Sequence, residues 1–136
     1  MGIVKAEITL KNANDCTNAK LGLTTEKEIR EMTVTAVVDT GAWTLVISEA
    51  VREKLGLELH GDDWVTLANG VTESVKKVDP VQIHWKNRNM ICQPILIPGA
   101  DEVLLGAVPL EEMDLIVDPR NEEIVGRHGE RTLRRL

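Results

Sequence analysis

Val37-Val38-Asp39-Thr40-Gly41-Ala42 places a carboxylate directly after an apolar run and directly before a Thr-Gly-Ala turn. The run reads as a buried strand. The turn lifts the Asp39 side chain out of it into a cleft, with Gly41 allowing the backbone to approach closely. A carboxylate so placed can activate water, provided that a second one lies within a few ångströms and the two share a proton. The signature occurs once in 136 residues, so the chain can build such a dyad only with a second copy of itself. An aspartate after a strand can also simply cap its own turn, and the motif has to be weighed with its surroundings.

Other chemistry-bearing residues point elsewhere. His60, His84 and His128 lie far apart and lack metal-ligand spacing, so neither a metal nor another cofactor is expected. Cys16 and Cys92 make no disulfide framework and read as free thiols. No cysteine-protease signature surrounds Cys92. Ser48 suits a helix cap better than a nucleophile. Asp62-Asp63 and Glu111-Glu112 read as solvated turns or helix starts, and Asp118 before Pro119 as a turn residue. No glycine-rich phosphate loop is present.

The length suits one domain. With no Phe, no Tyr and three Trp, the core must be built from Val, Leu, Ile and Ala with some of the tryptophans. A net charge of −6 argues against nucleic acid as a partner. The charge is uneven. Residues 127–136 carry Arg127, Arg131, Arg134 and Arg135 against Glu130, a net of +3, which leaves −9 on the body. We therefore expect a domain over residues 1–126 and a flexible basic tail over 127–136, the alternative being an arm that docks on an acidic partner or on the body. No apolar stretch approaches the roughly 20 residues of a membrane span, and Met1 to Leu10 lacks a signal-peptide core. The expectation is a cytoplasmic protein without a membrane partner. A strand close behind Met1 leads to the further expectation that no long propeptide precedes the domain.

The elements that must position Asp39 follow from pattern. Residues 3–10 alternate as a strand, and 12–25, rich in Asn, Asp, Thr and Gly, read as a loop. Met32 to Val38 delivers Asp39, and Thr44 to Ile47 is a second short apolar run. Ser48 caps a helix through about Leu55, with Gly56 past its end. Trp64 to Leu67 and Val71 to Val78 flank Ala68-Asn69-Gly70, a hairpin signal. Val81 to Trp85 alternates. Met90 to Ile97 returns as a strand broken by Pro94, which suggests an edge or a bulge. Leu104-Leu105 ends at Gly106, and Pro109 opens a short helix over Leu110 to Met113. Leu115 to Val117 and Glu123 to Val125 bracket a last turn. Short strands with turn signals every 8–12 residues or so predict an all-β barrel or sandwich with one or two short helices.

Three of these features, in order, resemble the retropepsin-like (clan AA) aspartic proteases. They are Val38-Asp39-Thr40-Gly41-Ala42 with the apolar Leu45-Val46-Ile47, the hairpin at Ala68-Asn69-Gly70, and Leu104-Leu105-Gly106 before a short helix. The likeness is closest to small prokaryotic members and spans about residues 2 to 126. It implies a closed acid-protease barrel with a flap hairpin. It further implies a homodimeric endopeptidase acting on peptides or unfolded proteins through an Asp39/Asp39 dyad, with Thr40 and Gly41 completing the catalytic turn. Ala42, Trp43, the flap residues Ala68, Asn69 and Gly70, and Gly106 would adjoin substrate. Retroviral members carry Asp after Asp-Thr-Gly-Ala and Arg after the later Gly, which form an ion pair. Here Trp43 and Ala107 stand in those places, so neither charge is stranded. Trp43 then walls a subsite or packs in the core or a dimer contact. The flap tip has less glycine than retroviral flaps and is expected to be stiffer. A catalytically silent peptide-binding or dimerisation module on the same fold is the alternative.

Overall fold

The computed structural model describes residues 2–136. β1 (Lys5–Asn12) turns Ala6, Ile8, Leu10 and Asn12 inward, and pairs antiparallel with β2 (Glu31–Val38), Lys5 facing Val37 and Lys11 facing Glu31. The intervening segment is not wholly the expected loop. It holds α1 (Ala13–Lys20) and a 3₁₀ turn at Glu26–Glu28. Ala13 is the only residue α1 buries, so no apolar stripe announces the helix. Its signal is a cap: Asn12 Oδ1 accepts the Asp15 amide at 3.0 Å. Asn12 is itself buried, and its Nδ2 donates to the Leu55 carbonyl at 2.9 Å.

β3 (Val46–Ile47) leads into α2 (Glu49–Leu55). Ser48 Oγ accepts the Val51 amide at 3.3 Å, and Gly56 ends α2 at φ 64°, as the Ser…Gly pattern predicts. β4 (Leu59–Thr66) and β5 (Thr72–Val78) form the hairpin, and β6 (Val81–Trp85) and β7 (Arg88–Cys92) a second one. The expected strand from Met90 to Ile97 is two strands, because Pro94 cannot extend a ladder. β7 pairs with β6, while β8 (Ile95–Leu96) lies between β5 and β3. β9 (Leu104–Leu105) precedes α3 (Ala107–Glu112), and β10 (Leu115–Asp118) pairs with β11 (Glu123–Gly126).

Nine strands form one mixed sheet in the order β4-β5-β8-β3-β9-β2-β1-β6-β7, with β10-β11 as a separate ribbon. The sheet is a strongly curled half-barrel with three short helices. Where a closed barrel with one or two helices was expected, the end strands β4 and β7 share no ladder among the described residues. The core is aliphatic: Leu10, Leu45, Ile47, Leu55, Val81, Ile83 and Leu105 are fully buried. Of the tryptophans only Trp85 is buried; Trp43 and Trp64 are exposed. Among the described residues no helix is long and apolar enough to cross a membrane.

The basic C-terminal segment lies against the body. The buried Arg88 donates to the carbonyls of Gly129 (2.7 Å) and Arg131 (3.1 Å). Asp114 accepts the Leu133 amide at 3.0 Å and sits 2.7 Å from His128 Nδ1. That hydrogen bond is the largest of the effects holding the Asp114 carboxyl below its ordinary range.

Asp15 ties α1 to the start of β2. It accepts from Arg30 Nε at 2.8 Å, Nη2 at 2.9 Å and the Arg30 amide at 3.0 Å. The guanidinium bonds hold its carboxyl below the usual range. A lowered folded-state value means stability that is present above the unfolded value and lost as pH falls through the folded one. In urea unfolding, wild type should therefore exceed Asp15→Asn by a constant margin above about pH 5, and the margin should shrink in acid. A margin that grew on acidification would contradict this linkage.

Candidate active site

The site begins where β2 ends. The Val37 and Asp39 amides donate to the carbonyls of Val103 (2.8 Å) and Leu105 (3.0 Å), while the Val38 amide donates to Val4 at 2.8 Å. The strand tip is thus held from both sides. β9 pairs parallel with β2 (Val37 with Leu104, Val38 with Leu105) and antiparallel with β3 (Val46 with Leu104). The Asp39 loop therefore arches over β9, which runs between the two strands that the loop connects.

Within the loop, Asp39 Oδ1 accepts the Gly41 amide at 2.9 Å and the Asp39 carbonyl accepts the Ala42 amide at 3.1 Å. A Cβ on Gly41 would stand 3.1 Å from Asp39 Oδ1, so glycine here serves close approach. The first two amides of α3, unpaired within any helix, are used from below: Ala107 donates to the Ala42 carbonyl at 2.8 Å and Val108 to the Trp43 carbonyl at 2.9 Å. Gly106 lies behind the turn. A Cβ there would meet Thr44 O at 2.4 Å and Ala42 O at 2.5 Å.

In front of the turn is a groove of about 310 Å³ between the Asp39 loop, β8 and the β4–β5 hairpin. Asp39, Gly41, Ala42, Trp43 and Ala68 line it, with Val46, Val65 and Leu67 among the apolar wall residues. Asp39 is its one titratable side chain among the described residues. Sequence reading missed Ile95 and Ile97 in this wall; the break at Pro94, which sends that segment beside β3, was the available signal.

The hairpin closes by the Leu67 amide on Val71 O (2.8 Å) and the Gly70 amide on Leu67 O (2.9 Å), with Gly70 at φ 84°. This three-residue loop with glycine in the left-handed region is a common hairpin form. Asn69 Oδ1 accepts the Val71 amide at 2.9 Å. The Gly70 amide is thus engaged within the turn, and of Ala68, Asn69 and Gly70 only Ala68 lines the groove. Thr40 is exposed at the rim, where it borders two further shallow grooves, one lined by Ile3 and Val4 and the other by Leu110 and Ile116.

Among the described residues no three His, Cys, Asp or Glu side chains gather as metal ligands. His60 pairs with Asp79, His84 with Gln82 and His128 with Asp114. Burial pushes the Cys92 thiol up to about 12, which leaves almost no thiolate at neutral pH. Native protein should resist alkylation by iodoacetamide at Cys92 and react fully once unfolded, as mass spectrometry would show. Rapid native labelling of Cys92 would contradict the burial that raises its thiol.

No curated protein matches the chain. A family model, described as gag-polyprotein putative aspartyl protease, matches residues 25–112, a stretch that holds the Asp39 turn, the β4–β5 hairpin, β9 and all of α3. With that stretch covering well over half of its length, and with a lone groove aspartate on the turn that β9 supports, the chain belongs to this aspartyl protease family.

Proposed function

We propose that the protein is a homodimeric aspartic endopeptidase. The observation that carries this reading is the single carboxylate of the groove, half-exposed on a turn braced by β9 and α3 and faced by a hairpin. One carboxylate cannot be both the base and the acid of a direct water attack, so the second comes from a second copy. Like charges this close do not both ionise, and one keeps its proton. The ionised Asp39 takes a proton from the water between them. The water attacks the scissile carbonyl, and the protonated partner donates to the carbonyl oxygen. The tetrahedral diol then collapses. The C–N bond breaks, the amine leaves with the proton that the first Asp39 took from water, and a diol proton returns to the partner as the carbonyl re-forms. The dyad is restored and no covalent enzyme intermediate forms.

Thr40 is exposed beside Asp39, and in this reading its hydroxyl bonds across the two-fold axis. Exposed Ile3 and Ile116 in the grooves that border Thr40 supply apolar surface for the same contact. The β4–β5 hairpin acts as a flap that closes over an extended peptide and excludes water, with the Ala68 and Asn69 amides left to meet it. Ala42 offers the carboxylates no hydroxyl, in contrast to many two-lobed relatives. The optimum should therefore be less acidic than theirs; a rate profile peaking below about pH 3 would count against this. The test is cleavage of a diverse unfolded peptide mixture from about pH 3 to pH 7, read by mass spectrometry.

The silent-module reading is favoured by one observation, the replacement of a charged pair near the cleft by Trp43 and Ala107. Peptide binding without cleavage by a folded dimer would support it.

A further inference from the structure

We infer that Trp43 is the specificity-determining residue of the groove, its indole taking an apolar substrate side chain laid flat against it and rejecting a charged one. This deepens the peptidase reading and rests on it for its kinetic arm.

The backbone that carries the indole is held from behind. The Trp43 carbonyl accepts the Val108 amide at 2.9 Å, and the preceding carbonyl, Ala42, accepts Ala107 at 2.8 Å. The residues that follow, Thr44 and Leu45, are buried. A backbone so held leaves only the side-chain torsions free. The side chain lines the same groove as Asp39 yet is 47% exposed, so a large part of the indole has no protein neighbour. In a chain without Phe or Tyr, whose core is aliphatic apart from Trp85, Trp43 is also the one aromatic side chain in that groove among the described residues.

The wall around it selects. Val65, Leu67, Ile97 and Leu104 offer no partner to a charged side chain, and burying an unpaired charge is costly. Among the described residues the sole charge available is Asp39, which is committed to the reaction. An apolar side chain meets none of these costs and removes the indole face from water. A single methylene in an apolar specificity pocket already changes kcat/KM by about 10- to 200-fold.

The test compares wild type with Trp43→Ala and Trp43→Phe on peptides differing at single positions on either side of the scissile bond. Trp43→Ala should lose about tenfold or more in kcat/KM for apolar residues at one position, mainly through KM, and should discriminate less there between apolar and charged residues. Trp43→Phe should restore most of both. Unchanged preferences in Trp43→Ala would overturn the inference. So would conversion of Trp43→Ala to a folded monomer by sedimentation, which would make Trp43 an interface residue.

A binding arm is independent of catalysis. In Asp39→Asn protein that also carries Trp64→Phe, so that the exposed tryptophan of the hairpin adds no signal, an apolar peptide should shift the tryptophan fluorescence, and the shift should vanish when Trp43→Phe is added. A shift that survives Trp43→Phe would overturn the inference. If wild type cleaves nothing while this Trp43-dependent shift is present, the peptidase reading fails and the assignment of Trp43 stands.

Discussion

Asp39→Asn should remove peptide cleavage while leaving the fold intact. The substitution keeps an oxygen at the position that accepts the Gly41 amide, so the turn retains its internal hydrogen bond. The ladders on either side of β2 involve backbone only. What disappears is proton transfer. An amide neither takes a proton from water nor passes one to a carbonyl oxygen, and a homodimer loses both members of its dyad at once. Positioned acid–base catalysis contributes about 10²- to 10⁴-fold, and the loss here should reach at least the upper part of that range. Cleavage measured beside urea unfolding separates chemistry from folding. A variant that unfolds like wild type and cuts nothing is the expected result. Equal cutting by both proteins would mean that Asp39 only caps its turn.

Gly106→Ala should be damaging for a different reason. Gly106 is in an extended conformation, φ −90° and ψ −173°, which any residue adopts. The constraint is space. The added methyl would lie 2.4 Å from Thr44 O, 2.5 Å from Ala42 O and 2.7 Å from Thr44 N, all backbone atoms of the Asp39 loop. No side chain can rotate away, so the loop must lift off β9 and α3. Overpacking of this sort costs about 1–3 kcal/mol or more. The displaced loop carries Asp39 at its start, and an error of about 1 Å in a reacting group can cost on the order of 10²-fold in rate. Gly22→Ala is the comparison. Gly22 has φ 77° with nothing near its Cβ position, so it pays only a conformational cost, far in sequence from the turn. It should lose some stability and keep its kcat/KM. Wild-type stability and activity in Gly106→Ala would contradict the close support of the loop described here.

The difference between these two glycines also marks what could be read from sequence. Asp39-Thr40-Gly41, the Ser48…Gly56 helix and the Ala68–Gly70 hairpin are local signals: a cap, a left-handed glycine or a tight turn is written in adjacent residues. That Leu104-Leu105 inserts between β2 and β3, and that Gly106 must therefore be small, depends on strands far apart in sequence. A two-residue run carries no mark of its partners. Gly106, expected beside substrate, is placed behind the loop for this reason.

α1 went unread because it buries only Ala13 and so has no apolar period, although its Asn12 cap was visible. β4 extends back to Leu59 through His60-Gly61-Asp62-Asp63, which does not alternate. The β4–β5 hairpin is exposed along much of its length, and cross-strand pairs replace burial there: Asp62 with Lys76, and Asp63 with Lys77 at 3.7 Å. α3 starts at Ala107, ahead of Pro109, because the carbonyls of Ala42 and Trp43 accept its first amides. Those acceptors lie more than sixty residues away in sequence. The groove was legible in its charged member and in Trp43. Its apolar far wall was not, since Ile95 and Ile97 look like any buried strand.

The most direct test of the shared dyad is a mixing experiment. Wild type and Asp39→Asn are combined at constant total concentration, allowed to exchange subunits, and assayed for cleavage as the proportion of mutant rises. If each site needs an aspartate from both copies, mixed dimers are inactive and activity follows the square of the wild-type fraction, about a quarter at equal proportions. Activity falling linearly, to about half at equal proportions, would show that each chain acts alone and would contradict the dimeric mechanism.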